Sequence, residues 1–177
     1  MLQFGYLDDQ QQIDEFTRND YVESSRSVIK KEWMDTKRRY TDIELAQSTH
    51  RIMTSLEDFQ PHIVLLGDDN ATNYIGNQLL DTEIPVVFWG INGLPVKYGL
   101  LDSLDKPGHN ITGVWQSGYL KQSLELLKKL VPDAETFAIL ACDSTTSRPK
   151  IKQLEVLEWE GQLPLKLVDK VVTNSYT

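Results

Sequence analysis

The chain has 177 residues and a net charge of −8 at neutral pH, from 26 acidic and 18 basic side chains. This length fits one globular domain, or one and a fraction, and the 40% apolar content excludes an intrinsically disordered chain. The acidic balance argues against a nucleic-acid platform and against an anionic membrane surface as the main partner. A single cysteine, Cys142, excludes an intramolecular disulfide and a multi-thiolate zinc site.

No segment predicts insertion into a membrane. The longest uncharged stretch, residues 84–96, contains two prolines and is too short to cross a bilayer as a helix. The residues after Met1 show neither a basic region nor a small-residue cleavage site. From these features alone we expect a soluble protein, either cytoplasmic or encoded with a targeting segment outside this sequence.

Strand-like and helix-like apolar patterns alternate from the N-terminus onward. The first third predicts a strand, a mixed helix and loop segment, and a second strand, at residues 2–7, 10–25 and 27–34. Thr41 and Glu44 then form a capping box, in which each side chain satisfies a backbone amide at the start of a helix. Pro61 ends this predicted helix.

The apolar runs Ile63–Leu66 and Pro85–Phe88 are short and continuous, which predicts strands covered on both faces. Later strands are predicted at 111–114, 137–142 and 163–172, and helices at 71–80, 120–131 and 149–161. This alternation predicts an α/β fold with an open parallel Rossmann-like sheet flanked by helices. We expect the strand order 2-1-3-4-5, with strands one, three and four at the centre.

Ligands of open parallel sheets bind outside the carboxyl ends of the strands. Five predicted strand ends carry polar or aromatic residues here: Asp8–Asp9, Trp33–Lys37, Asp68–Asn70, Trp89–Asn92 and Trp115–Gln116. Each also has a structural explanation, because Asp and Asn favour turns and helix caps. Collected at one edge, however, they indicate a binding site.

The expected wall of this site consists of Asp69, Asn70, Gly90, Asn92 and Trp115. A carboxylate at Asp69 would suit a ligand amine, although the same residue could simply cap the following helix. Gly90 would let a ligand approach the backbone, and Trp115 would cover a flat ligand face.

Catalytic and metal-binding patterns are weak. The three histidines lack metal-ligand spacing, and Cys142 lies in a predicted buried strand, where an inert thiol is expected. The sequence contains no nucleophile elbow, Walker loop or dinucleotide fingerprint. We therefore expect no enzymatic activity, no cofactor and no metal; a small hydrolase using Asp68 or Asp69 ranks last among the possible functions.

One alternative function stays open at this point. Asp8-Asp9, Asp68 and Lys106-Pro107 superficially resemble the acidic pair, the acceptor and the Lys-Pro pair of a response-regulator receiver. That would make the chain a cytoplasmic α/β signalling domain. In this sequence, however, Lys106-Pro107 precedes the fifth predicted strand, and no Ser or Thr ends the fourth.

Several segments together resemble a known family. They are Trp33–Arg38, Gly67–Ala71, Ile84–Asn92, Asn110–Val114 and Ser123–Pro132. Their order is similar to that of the ABC transporter substrate-binding protein family, which has the type I periplasmic-binding fold. The Met-Asp-Thr-Lys-Arg and Asp-Asp-Asn-Ala pieces resemble most the branch used as extracytoplasmic sensor domains of bacterial histidine kinases and diguanylate cyclases.

The resemblance implies two Rossmann-like lobes that close by a hinge around a ligand. With 177 residues, it implies a first lobe at 1–133 and an incomplete second lobe, its first strand–helix–strand, at 134–177, with the lobe crossing at 132–136. The implied ligand-binding residues are Asp8, Asp68, Asp69, Asn70, Ala71, Gly90, Ile91, Asn92, Trp115 and Asp143.

The resemblance also implies a function and partners. The ligand would be a small, amino-acid-like organic molecule, and the protein would be periplasmic or extracellular. Its partner would be a membrane permease, or a membrane-bound sensor kinase or diguanylate cyclase, and not a nucleic acid. An incomplete second lobe would leave an unpaired edge that favours a homodimer.

Overall fold

The computed structural model describes residues 2–116, 118–144 and 147–173. The chain divides into two compact units, Met1–Thr54 and Ser55–Thr177. The predicted α/β class is confirmed, since helices alternate with strands and the longer strands pair in parallel. None of the helices in the described part of the chain combines the length and apolar character needed to cross a membrane.

The first unit contains a short helix and a hairpin. Its elements are a 3-10 helix (Leu2–Phe4), α1 (Gln10–Asn19), β1 (Tyr21–Glu23) and β2 (Val28–Lys30). Asp9 caps α1, because its carboxylate accepts a hydrogen bond of 2.9 Å from the Gln12 amide. β1 and β2 pair antiparallel, with Val22 opposite Ile29.

The strand predicted at residues 2–7 and the five-strand order 2-1-3-4-5 are wrong. Gly5 has a φ of +68°, which turns the chain directly after the 3-10 helix. The carbonyl of Tyr6 accepts hydrogen bonds from the hydroxyls of Ser24 and Ser27 instead of joining a strand ladder. The second predicted strand, β2, pairs only within the antiparallel hairpin, so neither segment belongs to the parallel sheet.

Helix α2 (Asp42–Phe59) begins at the predicted capping box. The Glu44 amide donates to Thr41 Oγ1 at 3.3 Å, and the Thr41 amide donates to Glu44 Oε2 at 3.2 Å. The prediction of this helix start is therefore confirmed, and so is the helix end two residues before Pro61.

The second unit opens with a parallel sheet and its helices. The elements are β3 (Val64–Gly67), α3 (Asp68–Leu79), β4 (Val86–Ile91), a 3-10 helix (Pro95–Tyr98), β5 (Ile111–Trp115) and α4 (Leu120–Leu130). The strand order is β3-β4-β5. Val64, Val86 and Ile111 lie side by side in this register and are all buried, which places the core on their face of the sheet.

Within the part of the chain that the structure describes, one face of this sheet is covered and the other is largely exposed. Gly76 of α3 packs against the side chains of Leu66 and Leu100, so α3 lies on the core face. On the opposite face, Leu65 is 58% exposed and Val114 is 69% exposed. The expectation that these strands are buried on both faces is therefore wrong for this sheet.

A second parallel sheet follows. It consists of β6 (Thr136–Cys142) and β7 (Lys166–Thr173), joined by α5 (Ser147–Trp159). In the described structure β6 pairs with β7 and not with the first sheet. The predicted lobe boundary at 133/134 falls between α4 and β6, where the chain passes from one sheet to the other; the division into lobes stays a prediction.

A polar cluster joins the chain before β5 to the end of α3. His109 Nδ1 lies 2.7 Å from Asp81 Oδ1, and its Nε2 lies 3.3 Å from Asp102 Oδ1. Asn110 Nδ2 also donates to the carbonyls of Leu79 and Ile84, at 2.8 and 2.7 Å. The hydrogen bond with Asp81, with help from the charges of both aspartates, raises the pKa of His109 above its ordinary value of 6.5.

This cluster predicts a pH-dependent contribution to stability. Because the folded-state pKa of His109 is raised, its stabilisation is fully present below about pH 6.5 and is lost as pH rises through the folded pKa. Urea unfolding midpoints of the wild type and His109→Gln should differ at pH 5.5 and converge towards pH 8.5. His62→Gln, which replaces an exposed histidine outside this cluster, is the control; a His109→Gln difference independent of pH would contradict the prediction.

Candidate functional site

The carboxyl ends of β3, β4 and β5 lie along one edge of the first sheet. Gly67 is opposite Trp89, and Ile91 is opposite Trp115, as parallel register requires. Asp68 directly follows β3 and is exposed. The structure thus brings the strand ends of the second unit together, as the sequence predicts for a ligand-binding edge.

The centre of this edge is a buried carboxylate. Asp69 is only 2% exposed. Its Oδ1 accepts hydrogen bonds from the amides of Asn92 and Gly93, both at 2.9 Å, and from the hydroxyl of Tyr98 at 2.8 Å. Its Oδ2 accepts a fourth, from Asn92 Nδ2 at 3.1 Å. Four donors therefore compensate the burial of this charge.

The hydroxyl of Tyr98 donates a hydrogen bond to the Asp69 carboxylate. Burial raises the pKa of its hydroxyl strongly, and the hydrogen bond to Asp69 raises it further. The hydroxyl therefore keeps its proton at any physiological pH. Together with Asp69 it holds the 3-10 helix Pro95–Tyr98 against the start of α3.

The side chain of Asp69 does not cap α3, which was one of the two roles weighed from the sequence. Its carboxylate is occupied by protein donors, and the helix cap residue is Gly67, which has no capping side chain. In the first turn of α3, the Asp69 amide donates a hydrogen bond of 2.7 Å to Oδ1 of Asp68. Direct contact between Asp69 and a ligand stays a prediction.

The sequence did not predict Tyr98 as part of this site, because no local pattern links it to Asp69, 29 positions earlier.

Two residues at this edge have left-handed backbones. Asp68 has a φ of +76° and Gly90 a φ of +69°. Only glycine adopts such a φ without steric cost, which explains the residue type at position 90. A Cβ placed on Gly90 would have the Asp68 amide nitrogen, 4.0 Å away, as its nearest contact. The backbone of β4 is thus open to close approach at the position the sequence predicts.

Trp115 and Ile91 end the two neighbouring strands. Trp115 is half-buried, and its indole Nε1 is buried without a hydrogen-bond acceptor among the described residues. The Ile91 side chain is fully buried, so only its backbone could face a ligand, and its carbonyl accepts from the Gln116 amide at 3.1 Å. Asn70 and Ala71 lie half-buried in the first turn of α3.

The remaining predicted site residues make local contacts. In the first unit, Asp8 accepts from the Ser25 amide at 2.8 Å and hydroxyl at 2.6 Å, and these bonds lower its pKa. Asp143 follows β6 in the second sheet and pairs with Arg148 at 2.6 Å, a contact that lowers the pKa of Asp143. A ligand-binding role for either residue stays a prediction.

The segment Trp33–Lys37 does not end a strand of the parallel sheet, because it follows the hairpin strand β2. Trp33 Nε1 donates to Asp20 at 2.8 Å, and Lys31 lies over the Trp33 ring at 4.8 Å. Trp33 therefore contacts a carboxylate and a cation of the first unit, while the residue itself stays 60% exposed.

The receiver arrangement is not formed. Asp8-Asp9 follow a 3-10 turn and start α1, whereas a receiver needs an acidic pair at the end of its first strand. Lys106 lies before β5, as in the sequence prediction. Among the described residues, no group of three or more His, Cys, Asp or Glu side chains could hold a metal ion.

Comparison with known proteins identifies the family. A family model described as ABC transporter substrate binding protein matches residues 42–176, which is 135 of 177 residues. A tyrosine-binding protein of Clostridioides difficile (strain R20291) is 28% identical over 93 residues, which cover 52% of this chain and 26% of that protein.

Two solved structures share the fold. One is the ligand-free, open structure of a substrate-binding protein with adhesive properties from Clostridium difficile, with a TM-score of 0.53, 24% identity, and coverage of 72% of this chain and 42% of that one. The other is the ABC domain in complex with L-Trp from Streptococcus pneumonia, with a TM-score of 0.57 and 21% identity. This match covers 75% of this chain and 43% of that one. The chain spans less than half the length of each relative.

The family match extends over both parallel sheets and includes the strand-end edge around Asp69. It agrees with the α/β fold and with the resemblance noted from the sequence. The chain belongs to the ABC transporter substrate-binding protein family.

Proposed function

We propose that this chain forms the ligand-binding part of a substrate-binding protein for a free amino acid and catalyses no reaction. The ligand would lie between a first lobe, 1–133, and the lobe that begins at 134. The observation that carries the proposal is the edge of the first sheet, where exposed Asp68, open Gly90, half-buried Asn92 and Trp115 lie on adjacent strand ends.

The chemistry of this edge suits an amino acid with a flat side chain. The exposed Asp68 carboxylate and the Asn92 amide oxygen accept hydrogen bonds, as a ligand ammonium requires. The Trp115 ring provides an aromatic surface, and its Nε1 is a donor without a protein acceptor in the described structure. Two relatives support this class, since one is named a tyrosine-binding protein and one was solved with L-Trp.

The family also supports a proposal about location and partners. The protein would act outside the cytoplasm and deliver its ligand to a membrane permease, or signal through a membrane-bound sensor kinase or diguanylate cyclase. A homodimer through the second sheet would bury Leu140 and Val171, which are paired across β6 and β7 and are 76% and 44% exposed.

Saturation-transfer NMR on the whole chain tests the amino-acid proposal, because it detects binding as weak as millimolar. We expect transfer to the ring protons of L-tyrosine and L-tryptophan, and weaker transfer to L-alanine, which lacks a ring to contact Trp115. Trp115→Ala should reduce the ring signals selectively, whereas Trp159→Ala, which removes an 88% exposed side chain outside the edge, should not. No transfer to any amino acid at millimolar concentration would overturn the proposal.

A further inference from the structure

The side-chain amide of Asn92 has a defined orientation. Its nitrogen Nδ2 faces Asp69 Oδ2 at 3.1 Å, and its backbone amide faces Asp69 Oδ1 at 2.9 Å. A flipped amide would place its oxygen against a carboxylate oxygen, and two acceptors cannot share a hydrogen bond. The carbonyl oxygen Oδ1 therefore points away from Asp69. No donor among the described residues contacts it, and the residue is half-exposed.

This orientation depends on the charge at position 69. An ionised carboxylate offers only acceptors, so it can bind only the nitrogen end of the neighbouring amide. The amides of Asn92 and Gly93 and the Tyr98 hydroxyl hold the carboxylate in place, and its 2% exposure keeps it away from solvent. Asp69 is thus a fixed acceptor beneath the nitrogen end of the Asn92 amide, and Asn92 as a whole residue is half-exposed.

We propose that Asp69 is a positioning residue: it sets the polarity of the Asn92 amide, so that Asn92 Oδ1 accepts a hydrogen bond from the ammonium group of the ligand. In this arrangement Asp69 acts through Asn92, in place of the direct ligand contact predicted from the sequence. The ammonium half of this inference rests on the proposed function, whereas the orientation of Asn92 stands on the hydrogen bonds alone.

Asp69→Asn tests the idea because it keeps size and shape but removes the charge. The new amide can still accept from the two backbone amides with its oxygen, and its NH2 group then faces Asn92. Asn92 is expected to flip and to present its own NH2 group outward, which repels an ammonium. The variant therefore inverts the polarity of the site without removing a side chain.

The first measurement needs no ligand. In the wild type, the Asn92 side-chain amide protons should exchange slowly with solvent in nitrogen-15 NMR, because one of them is bonded to Asp69. In Asp69→Asn they should exchange at least about tenfold faster, as expected from loss of a hydrogen bond to a charged acceptor. Asp105→Asn, an exposed aspartate before β5, is the matched control. Equal exchange in wild type and Asp69→Asn would overturn the positioning role.

The second measurement compares L-tyrosine with 3-(4-hydroxyphenyl)propanoate, which lacks only the amino group. The wild type should favour L-tyrosine by about ten- to a hundredfold, and Asp69→Asn should reduce that ratio severalfold, since the exposed Asp68 carboxylate still accepts from the ammonium. A merely structural role would weaken both ligands equally and leave the ratio intact, which would overturn the ammonium assignment. Tyr98→Phe keeps the charge of Asp69 and should keep the ratio, so it separates polarity from general loosening of the network.

The two failures are distinguishable. If the wild type binds neither L-tyrosine nor L-tryptophan, the proposed function and the ammonium assignment are both overturned. The exchange measurement still decides whether Asp69 orients Asn92. If the wild type binds L-tyrosine and both variants keep the preference for it, only the further inference is overturned.

Discussion

Phe88→Ala is expected to lower the free energy of unfolding by about 3–5 kcal/mol. Phe88 is only 1% exposed and lies in the central strand β4, between Leu66 of β3 and Gly113 of β5. Removing the ring takes away buried apolar surface and leaves a cavity that the paired strands on both sides cannot close. Of the side chains in the first sheet, this one is the largest that is almost completely buried.

Leu65→Ala is the matched control for this prediction. Leu65 lies in the neighbouring strand on the opposite face of the same sheet and is 58% exposed. Its truncation should therefore change stability by no more than about 0.5 kcal/mol. Urea unfolding followed by circular dichroism gives both values. Similar losses for the two variants would mean that the core is not on the Phe88 face of the sheet.

Gly113→Ala is expected to cost about 3 kcal/mol, at the upper end of the range for overpacked cores. A Cβ at this position would lie 2.2 Å from the Phe88 carbonyl oxygen and 2.6 Å from the Phe88 ring. The carbonyl belongs to the backbone of β4 and cannot move away without disturbing the β4–β5 register. Because Gly90 and Trp115 lie near the carboxyl ends of these two strands, we expect weaker ligand binding along with the lost stability.

Gly99→Ala separates this clash from the general cost of replacing a glycine. Gly99 has a φ of +75°, and a Cβ there would meet no atom within 4 Å. The substitution therefore adds only the strain of a left-handed backbone, about 1–2 kcal/mol. Thermal unfolding should rank the variants as wild type, Gly99→Ala and Gly113→Ala in falling order of stability. The reverse order of the two variants would contradict the close approach of β5 to Phe88.

The exposed face of the first sheet carries three large apolar side chains. Leu65, Trp89 and Val114 are 58%, 49% and 69% exposed on the side away from Phe88. Trp89 covers Gly67, since a Cβ on Gly67 would lie 2.9 Å from the indole ring. The Trp89 ring, on the exposed face of the sheet, thus lies against Gly67, the last residue of β3, directly before Asp68. A substitution of Trp89 should therefore disturb the same edge that we propose for the ligand.

Local signals in the sequence were sufficient for several elements. Thr41 and Glu44 satisfy each other's amides within a single helical turn, so the start of α2 depends on no distant residue. The apolar runs that form β3 and β4 are short, and the residues after them favour turns and helix starts, so their existence and parallel pairing were also predictable.

The N-terminal segment shows where local pattern is insufficient. The alternation at residues 2–7 is typical of a strand, but a strand needs a partner with free backbone groups. Here Gly5 turns the chain, and serine hydroxyls 18 and 21 residues away from Tyr6 satisfy its carbonyl. The hairpin β1–β2 pairs with itself, so the expected five-strand sheet is not formed.

For the candidate site, the sequence by itself determined which residue types meet at the strand ends, because parallel strands place their carboxyl ends at one edge. Only the tertiary structure decided which of them are exposed and which are buried. Asp68 and Asp69 are adjacent and chemically identical, yet Asp68 is exposed and Asp69 is buried, with 2% exposure. The difference arises because Asn92, Gly93 and Tyr98, 23 to 29 residues further along, donate to Asp69 alone. A carboxylate is buried only where donors compensate its lost hydration, and those donors converge only after the chain has folded.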